Sequence, residues 1–424
     1  MDQRARWWQS LTGELAVYYA LVGTYFFSFG LQFVLFPSLI TFILGAKGIS
    51  LGGAQMALSG PMFALLLATG VYAERAQPGR SLFIFQLAMA VPPVVLGLLA
   101  ESNYLTYHVL LAYAVTVGSC AAFILPVRDA ALNGVITREL ERGQSVALTT
   151  AATTITAIQI GAQIAGILAA QFAEKIGVAP LLFLQAGVTA LGAILALQMR
   201  APPPRGPKRT MRELWNDLVD GVRYAVRDPV VGSMLCSGAY AGIFILGSGQ
   251  VLFPLIVRDS YGGGPHELSL LYACFWAACF VSAALLSRFG GLDRPGRGLI
   301  LAHLASAGVL ASFAFHTPLW FLYLSVALWG LVSGVAISTN RTIVQAQTDK
   351  AYLGRALALY SMGFMGGAPI GGMLAGITAD HFGPRMAALA PAIGLAVCCG
   401  ALALMSPIWF VPRPEGERRA AAMS

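Results

Sequence analysis

The sequence predicts an all-α polytopic membrane protein whose twelve transmembrane helices form two parallel six-helix repeats. Three observations carry that reading. The first is composition: of 424 residues, 57% are hydrophobic and only 11% charged, whereas a soluble domain carries roughly 25% charged residues. The second is the recurrence of apolar runs long enough to cross a bilayer, which takes about 20 residues each. Such runs fall at 15–43, 51–73, 81–100, 105–127, 146–172, 179–199, 231–257, 267–288, 297–316, 318–339, 354–376 and 386–409. The third is where the charge lies. With the N-terminus placed in the cytoplasm and the runs alternating, 23 of the 27 Lys and Arg fall on the cytoplasmic side. Only Lys47, Lys175, Arg258 and Arg385 fall outside it, which is the positive-inside pattern. The formal net charge of +8 therefore reports topology and is not a nucleic-acid footprint. Both termini are expected in the cytoplasm of a bacterial inner-membrane type of location, as a monomer in the bilayer. The first run is long, follows charged Asp2, Arg4 and Arg6, and lacks an obvious cleavage site, so it reads as a retained span and not as a cleavable signal peptide.

Domain organisation follows from the polar bridge. Residues 1–199 are read as an N-terminal six-helix bundle, 200–229 as a cytoplasmic linker and 230–424 as a C-terminal six-helix bundle. The linker opens Pro-rich, with Pro202, Pro203 and Pro204 followed by Arg205, Lys208 and Arg209. It then places Met211, Leu214, Trp215, Leu218, Val219, Val222 and Val226 at helical spacing, with Glu213, Asp217, Asp220 and Arg223 elsewhere on the turn. That pattern predicts an amphipathic helix lying along a membrane or protein surface. Asp228-Pro229 ends it.

Three matches, in one order and at offsets near 210, make the halves repeats. Glu74-Arg75 and Pro78-Gly79-Arg80 leave the second span, as Asp293-Arg294-Pro295-Gly296-Arg297 leaves the eighth. Arg128 and Arg142 are spaced like Arg341 and Arg355. Gly161 to Gly177 aligns with Gly367 to Gly383 at eight identical positions of 17. Each six-span unit starts and ends on the cytoplasmic side, which is the parallel-repeat plan of a secondary transporter with its site near the midplane between the halves.

The loop after the second span resembles the major facilitator superfamily pattern Gly-x-x-x-Asp-Arg-x-Gly-Arg-Arg through Gly70, Arg75, Gly79 and Arg80. Glu74 replaces its Asp, two residues are inserted, and Ser81 replaces its last Arg. The copy at Asp293, Arg294 and Arg297 keeps the Asp. Within that superfamily the chain is similar to the macrolide-efflux and enterobactin-export permease branch. Pro126-Val127-Arg128-Asp129, Gly221-Val222-Arg223-Tyr224, Phe253-Pro254-Leu255-Ile256-Val257-Arg258 and Gly367 through Gly372 carry the likeness. The resemblance implies a cavity walled by spans one, four, seven and ten. Candidate wall residues are Tyr25, Phe29, Gln32, Tyr113, Arg128, Tyr240, Gln250, Trp329, Asn340 and Arg341. Aromatics with a few amides suit a small amphipathic solute through stacking and cation–π contact, though such a stripe is also ordinary helix packing.

The charged and small residues have readings of their own. Gly70, Glu74, Arg75, Arg80, Asp293, Arg294 and Arg297 form candidate latches that pair in one global state and part in the other; the bland reading is a positive-inside loop. Gly161, Gly166, Gly367, Gly371 and Gly372, with Pro369, allow close helix contact. The superfamily's antiporter motif is incomplete in the fifth span, where Ala162 stands at its Pro position and Ala157 at its first Gly. Asp129 is the carboxylate placed within a span and the proton-coupling candidate. Helical neighbours point about 100° apart, so Arg128 and Asp129 are expected to have different partners; snorkelling to headgroups is the alternative for both. His108 and His303 read as packing residues, and the six cysteines as small core residues without metal-ligand spacing. No cofactor, metal site, Walker A pattern or catalytic triad is expected. The reading is of a transporter and not an enzyme: a proton-coupled exporter of small amphipathic compounds, drug-like or siderophore-like. The alternatives are an importer or symporter of an organic or lipid-like solute, and a transport-silent membrane sensor.

Overall fold

A computed structural model of the chain describes residues 13–141, 148–199, 210–289 and 291–411. The Pro-rich start of the linker lies outside these residues. Among them the regular structure is helical throughout. Ten helices are each long and apolar enough to cross a membrane, and a bent pair makes an eleventh. Pro295–Ser312, whose apolar run is diluted by Arg297 and His303, fits the twelfth place.

Two spans are interrupted along their length. The second is Gly48–Ala64 followed by Leu66–Arg75, with a bend of 57° at the break. Pro61, which has no backbone N–H of its own to donate, lies in the last turn before that break. The seventh is Pro229–Ala241, a π-helical stretch Gly242–Gly247, and Ser248–Tyr261. A shorter π stretch, Leu39–Ile43, closes the first span after Glu14–Ser38. The remaining spans are Pro78–Glu101, Tyr107–Glu141, Leu148–Ala170, Val178–Leu197, Pro265–Arg288, Pro295–Ser312, Leu319–Gln347, Leu353–Phe382 and, for the twelfth, Leu389–Met405 after the short Pro384–Ala387.

The chain forms two compact units. One holds the described residues up to Leu39 and from Gly60 to Trp215; the other holds Ile40–Ser59 and everything from Asn216 onward. The start of the second span is thus grouped with the C-terminal unit, and the linker helix is divided between the two units after Trp215.

The same helix pairings recur inside each unit. Lipid chains are as apolar as leucine, so helices in a bilayer associate through close packing and small residues. In the first unit, spans one and five cross where a Cβ on Gly30 would overlap the Gln163 carbonyl and one on Gly166 the Phe27 carbonyl. In the second, spans seven and eleven pair at Gly242 against the Phe364 carbonyl and Gly371 against the Ile243 carbonyl. Pro-Gly-Arg also has a shared structural meaning. Pro78 and Pro295 each begin a helix. Gly79 then lies against the carbonyls of Ala196 and Met199, and Gly296 against that of Ile408, at the end of the last helix of its own unit.

Several buried polar groups are paired within their own unit, which a low-dielectric interior favours. Ser28 and Thr189 share a 2.7 Å hydrogen bond, and Gln185 donates to the Tyr113 hydroxyl at 3.0 Å. In the second unit Asn340 donates to Ser237 at 2.9 Å, and the Tyr240 hydroxyl lies 2.8 Å from His303 Nδ1. The cysteines are free thiols; Cys120, Cys279 and Cys399 are buried, whereas Cys236 is exposed.

Candidate functional site

The fourth span positions a charged residue that the sequence singled out. Arg128 follows Pro126 on Tyr107–Glu141 and is 5% exposed. Its guanidinium carbon stands 5.1 Å from the Phe26 ring centre and 5.7 Å from that of Tyr25. Tyr18 donates to its carbonyl at 3.1 Å. All three aromatic residues lie on the first span; Tyr25 and Phe26 offer ring faces to the guanidinium, and Tyr18 holds the backbone. Arg128 Nε and Nη2 therefore reach Asp129 Oδ1, at 3.1 and 2.8 Å. The expectation of separate partners is corrected here: a guanidinium on a long stem folds back across the turn when the facing helix presents rings. Nη1 is buried without a hydrogen-bond partner, while the Asp129 side chain is 67% exposed.

The other candidate wall residues divide by environment. Tyr25 packs edge-on to Phe26, and Phe29 sits between Phe26 and Phe33. Gln32 is buried with Oε1 unpartnered. Tyr113 is held in the interior of its unit, stacked on Phe36 and bonded to Gln185. Tyr240 is likewise occupied by His303. Trp329 is 1% exposed among Phe253, Phe275 and Phe313. Asn340 is buried with Oδ1 unpartnered, Gln250 is half-buried, and Arg341 is exposed. The structure thus brings Tyr25 to Arg128, and places Tyr113, Tyr240 and Trp329 in tight intra-unit packing. Of the two histidines, His303 is buried and His108 exposed.

The loop residues are equally distinct. Gly70 lies under Leu214 of the linker helix, 3.2 Å from where its Cβ would stand. Glu74 is half-buried; Arg75 and Arg80 are exposed, as are Asp293 and Arg294. Arg297 covers the Trp409 ring at 5.2 Å and reaches its carbonyl at 3.4 Å. Among the packing glycines, Gly161 has open space around it, while Gly166, Gly367 and Gly371 face backbone and Gly372 faces Val251. Pro369 is buried beside them.

One cluster was missed by the sequence reading. At the start of the second span, Asp380 of the eleventh accepts from the backbone N–H of Gly48 at 2.7 Å and of Ile49 at 2.9 Å. Below it, a Cβ on Gly48 would stand 2.7 Å from the Gly376 carbonyl, and one on Gly52 2.7 Å from that of Gly372. Arg258 Nη1 donates to the carbonyls of Thr41 and Ala46 at 3.0 and 2.9 Å. All of this lies within the second unit. A helix start carries unsatisfied N–H groups and partial positive charge, so a carboxylate there is doubly favoured. A signal existed: Gly48 and Gly52 are four apart, as are Gly372, Gly376 and Asp380 in series.

A family described as transmembrane secretion effector matches residues 44–417. The chain belongs to that family. It is a family of the major facilitator superfamily, whose members are transporters and not enzymes. Enterobactin exporter EntS of Shigella boydii serotype 18 is 28% identical over 206 residues, which is 48% of this chain and 47% of that one. The counterpart of Escherichia coli O81 is 27% identical over the same length. The chain thus matches about half the length of these curated relatives. Among solved structures, the nucleoside transporter NupG superposes with a TM-score of 0.73 at 15% identity, covering 93% of this chain and 99% of that one. A bacterial homolog of the human lysosomal transporter Spinster, in an inward-facing and unoccupied conformation, gives 0.68 at 16%, covering 94% and 98%. At such identities these likenesses speak for the fold alone.

Proposed function

We propose that this transporter is a secondary active exporter of small amphipathic compounds, drug-like or siderophore-like, coupled to protons and working by alternating access. The observation that carries the reading is the Arg128–Asp129 pair beside the Tyr25 and Phe26 rings. A charge held within a span is costly and is kept there mainly for function. The rings supply stacking surface for an aromatic solute, the guanidinium supplies a fixed charge, and Asp129 is the carboxylate that can take a proton. A proton on Asp129 weakens its hold on Arg128, so proton and solute act on one pair. Direction is supported by the half-length similarity to enterobactin exporters.

Alternating access needs contacts that form in one state and part in the other. The Asp380 clasp on Gly48 and Ile49 has that character, because it is polar, lies at the helix ends, and rests on glycine contacts that separate without leaving cavities. We assign it to the outer side on the strength of the positive-inside pattern.

The test is transport in everted membrane vesicles under an inside-acidic proton gradient, with a panel of fluorescent amphipathic dyes and empty vesicles as control. Gradient-dependent uptake that an uncoupler abolishes, and that Asp129→Asn reduces on the order of ten-fold, is the expected result. Uptake by Asp129→Asn equal to the native chain would remove the pair from the coupling step. Uptake only in right-side-out vesicles would reverse the direction.

A further inference from the structure

The linker helix Met211–Arg227 has three faces and not the two that its sequence suggests. Thr210 and Glu213 cap its start reciprocally: Glu213 Oε2 accepts from the Thr210 N–H at 2.6 Å, and Thr210 Oγ1 from the Glu213 N–H at 3.3 Å. One face docks on the second unit. Asp217 pairs with Arg355, a Cβ on Gly221 would meet Leu359 at 3.0 Å, and Tyr224 stacks on Tyr352 with centroids 4.4 Å apart. Ala225 joins the buried cluster that contains Ile408 and Val411. A second face is polar and exposed, with Arg212, Asn216, Arg223 and Arg227.

The third face is apolar and uncovered. Met211, Trp215, Val219, Val222 and Val226 fall on one side at steps of three and four residues, with Trp215 54% and Val226 81% exposed. The docked face lies beside this apolar stripe, so the most hydrophobic side of the helix is directed away from the protein.

We infer that this face is immersed in the cytoplasmic-side lipid–water interface, with the neighbouring arginines on anionic headgroups. Three facts select lipid as the occupant. Asp228 alone separates the helix from Pro229, where the seventh span begins, and its carboxylate caps that span through Val230 and Val231 at 2.9 and 3.0 Å. The end that carries Val226 is therefore fixed at the membrane boundary by the chain itself. The apolar stripe carries Trp215 one turn from its start and arginines along its edge, a residue pattern that suits an interface between acyl chains and headgroups. Phe410, 77% exposed, lies in the short turn whose Ile408 shares the buried cluster with Ala225, and so extends uncovered apolar surface at the same end of the unit. A span, a docked face and a lipid face together hold the helix in the membrane plane.

The experiment uses the full chain in single-copy nanodiscs, with the emission of Trp215 taken as the difference between the native chain and Trp215→Phe. Lipid brominated just below the headgroup should remove about half of that difference emission, and aqueous acrylamide should remove little. The effect should strengthen when phosphatidylglycerol replaces part of the phosphatidylcholine. A second variant, Val222→Asp with Val226→Asp, should reverse the order of the two quenchers while leaving the melting temperature in detergent close to native. Emission quenched by acrylamide and untouched by bromine would overturn the inference. So would shielding from both quenchers that appears only with two chains per disc, which would make the occupant a second copy, or only after a soluble protein is added.

Discussion

The second and eighth spans hold equivalent places in the two repeats, yet their helix starts are capped in different ways. The eighth is self-sufficient: Glu267, three residues in, accepts from the Gly264 N–H at 2.8 Å. The second has no such residue near its start and takes its carboxylate from Asp380, more than 300 positions away. A local cap is a fixed part of its helix. A cap brought by another span is present only while the two spans touch. The difference marks the start of the second span as a place where a contact can be released, and the start of the eighth as one where it cannot.

That comparison can be broken by substitution. The largest effect is expected at the glycines. Gly376→Val or Gly52→Val places side-chain atoms where backbone now lies, so the second and eleventh spans can no longer meet. Transport should fall to background with membrane insertion intact, measured by vesicle uptake beside protein amount in the membrane. Near-native uptake would show that this approach is not part of the cycle. Asp380→Ala comes next. Hydrogen bonds to a charged acceptor contribute about 1.5–3 kcal/mol, so the population holding this contact should fall on the order of ten-fold or more. The readout is labelling of a cysteine placed at Ser50, in a background without the exposed Cys236, by a membrane-impermeant thiol reagent. Unchanged labelling would make the clasp a static cap like that of the eighth span. The smallest effect belongs to Glu267→Gln, which weakens a local cap by about 0.5–1 kcal/mol. A small drop in melting temperature with unchanged uptake is expected; lost uptake would erase the distinction between the two helix starts.

The Pro-Gly-Arg repeats give a second contrast. Both glycines sit where a helix begins against the last helix of its unit, so the shared dipeptide records packing. The arginines that follow diverge: Arg80 is exposed, while Arg297 covers Trp409. A repeat in sequence thus preserved the contact that each unit needs internally and left the neighbouring charge free to take different partners.

Much was legible from the chain alone, because a bilayer imposes long-wavelength rules on sequence. Apolar runs of span length, arginines sorted to one side and glycines repeated near an offset of 210 are each constrained by solvent or by backbone approach. They sufficed for twelve helices, two related halves and a linker helix. The pairing of Arg128 with Asp129 was not legible, since helical geometry sets the direction of a Cα–Cβ bond but not the path of a long side chain. Nor was the side of the linker helix that would dock: the amphipathic pattern named Leu214, Trp215 and Val226 together, whereas Gly221 and Tyr224, unremarkable in that pattern, make the contact. Asp380 read as one more acid at a span end.

What the sequence determined by itself is the secondary structure, the order of spans and the membership of two repeats, all of which depend on residues near one another or on the solvent each must face. What only the tertiary structure decided is which distant groups meet. The clasp of Asp380 on Gly48, the rings around Arg128 and the uncovered face of the linker helix each depend on how two or more elements approach. That approach is set by the glycines where backbones touch, and it is a property of the packed helices jointly and not of any one stretch of chain.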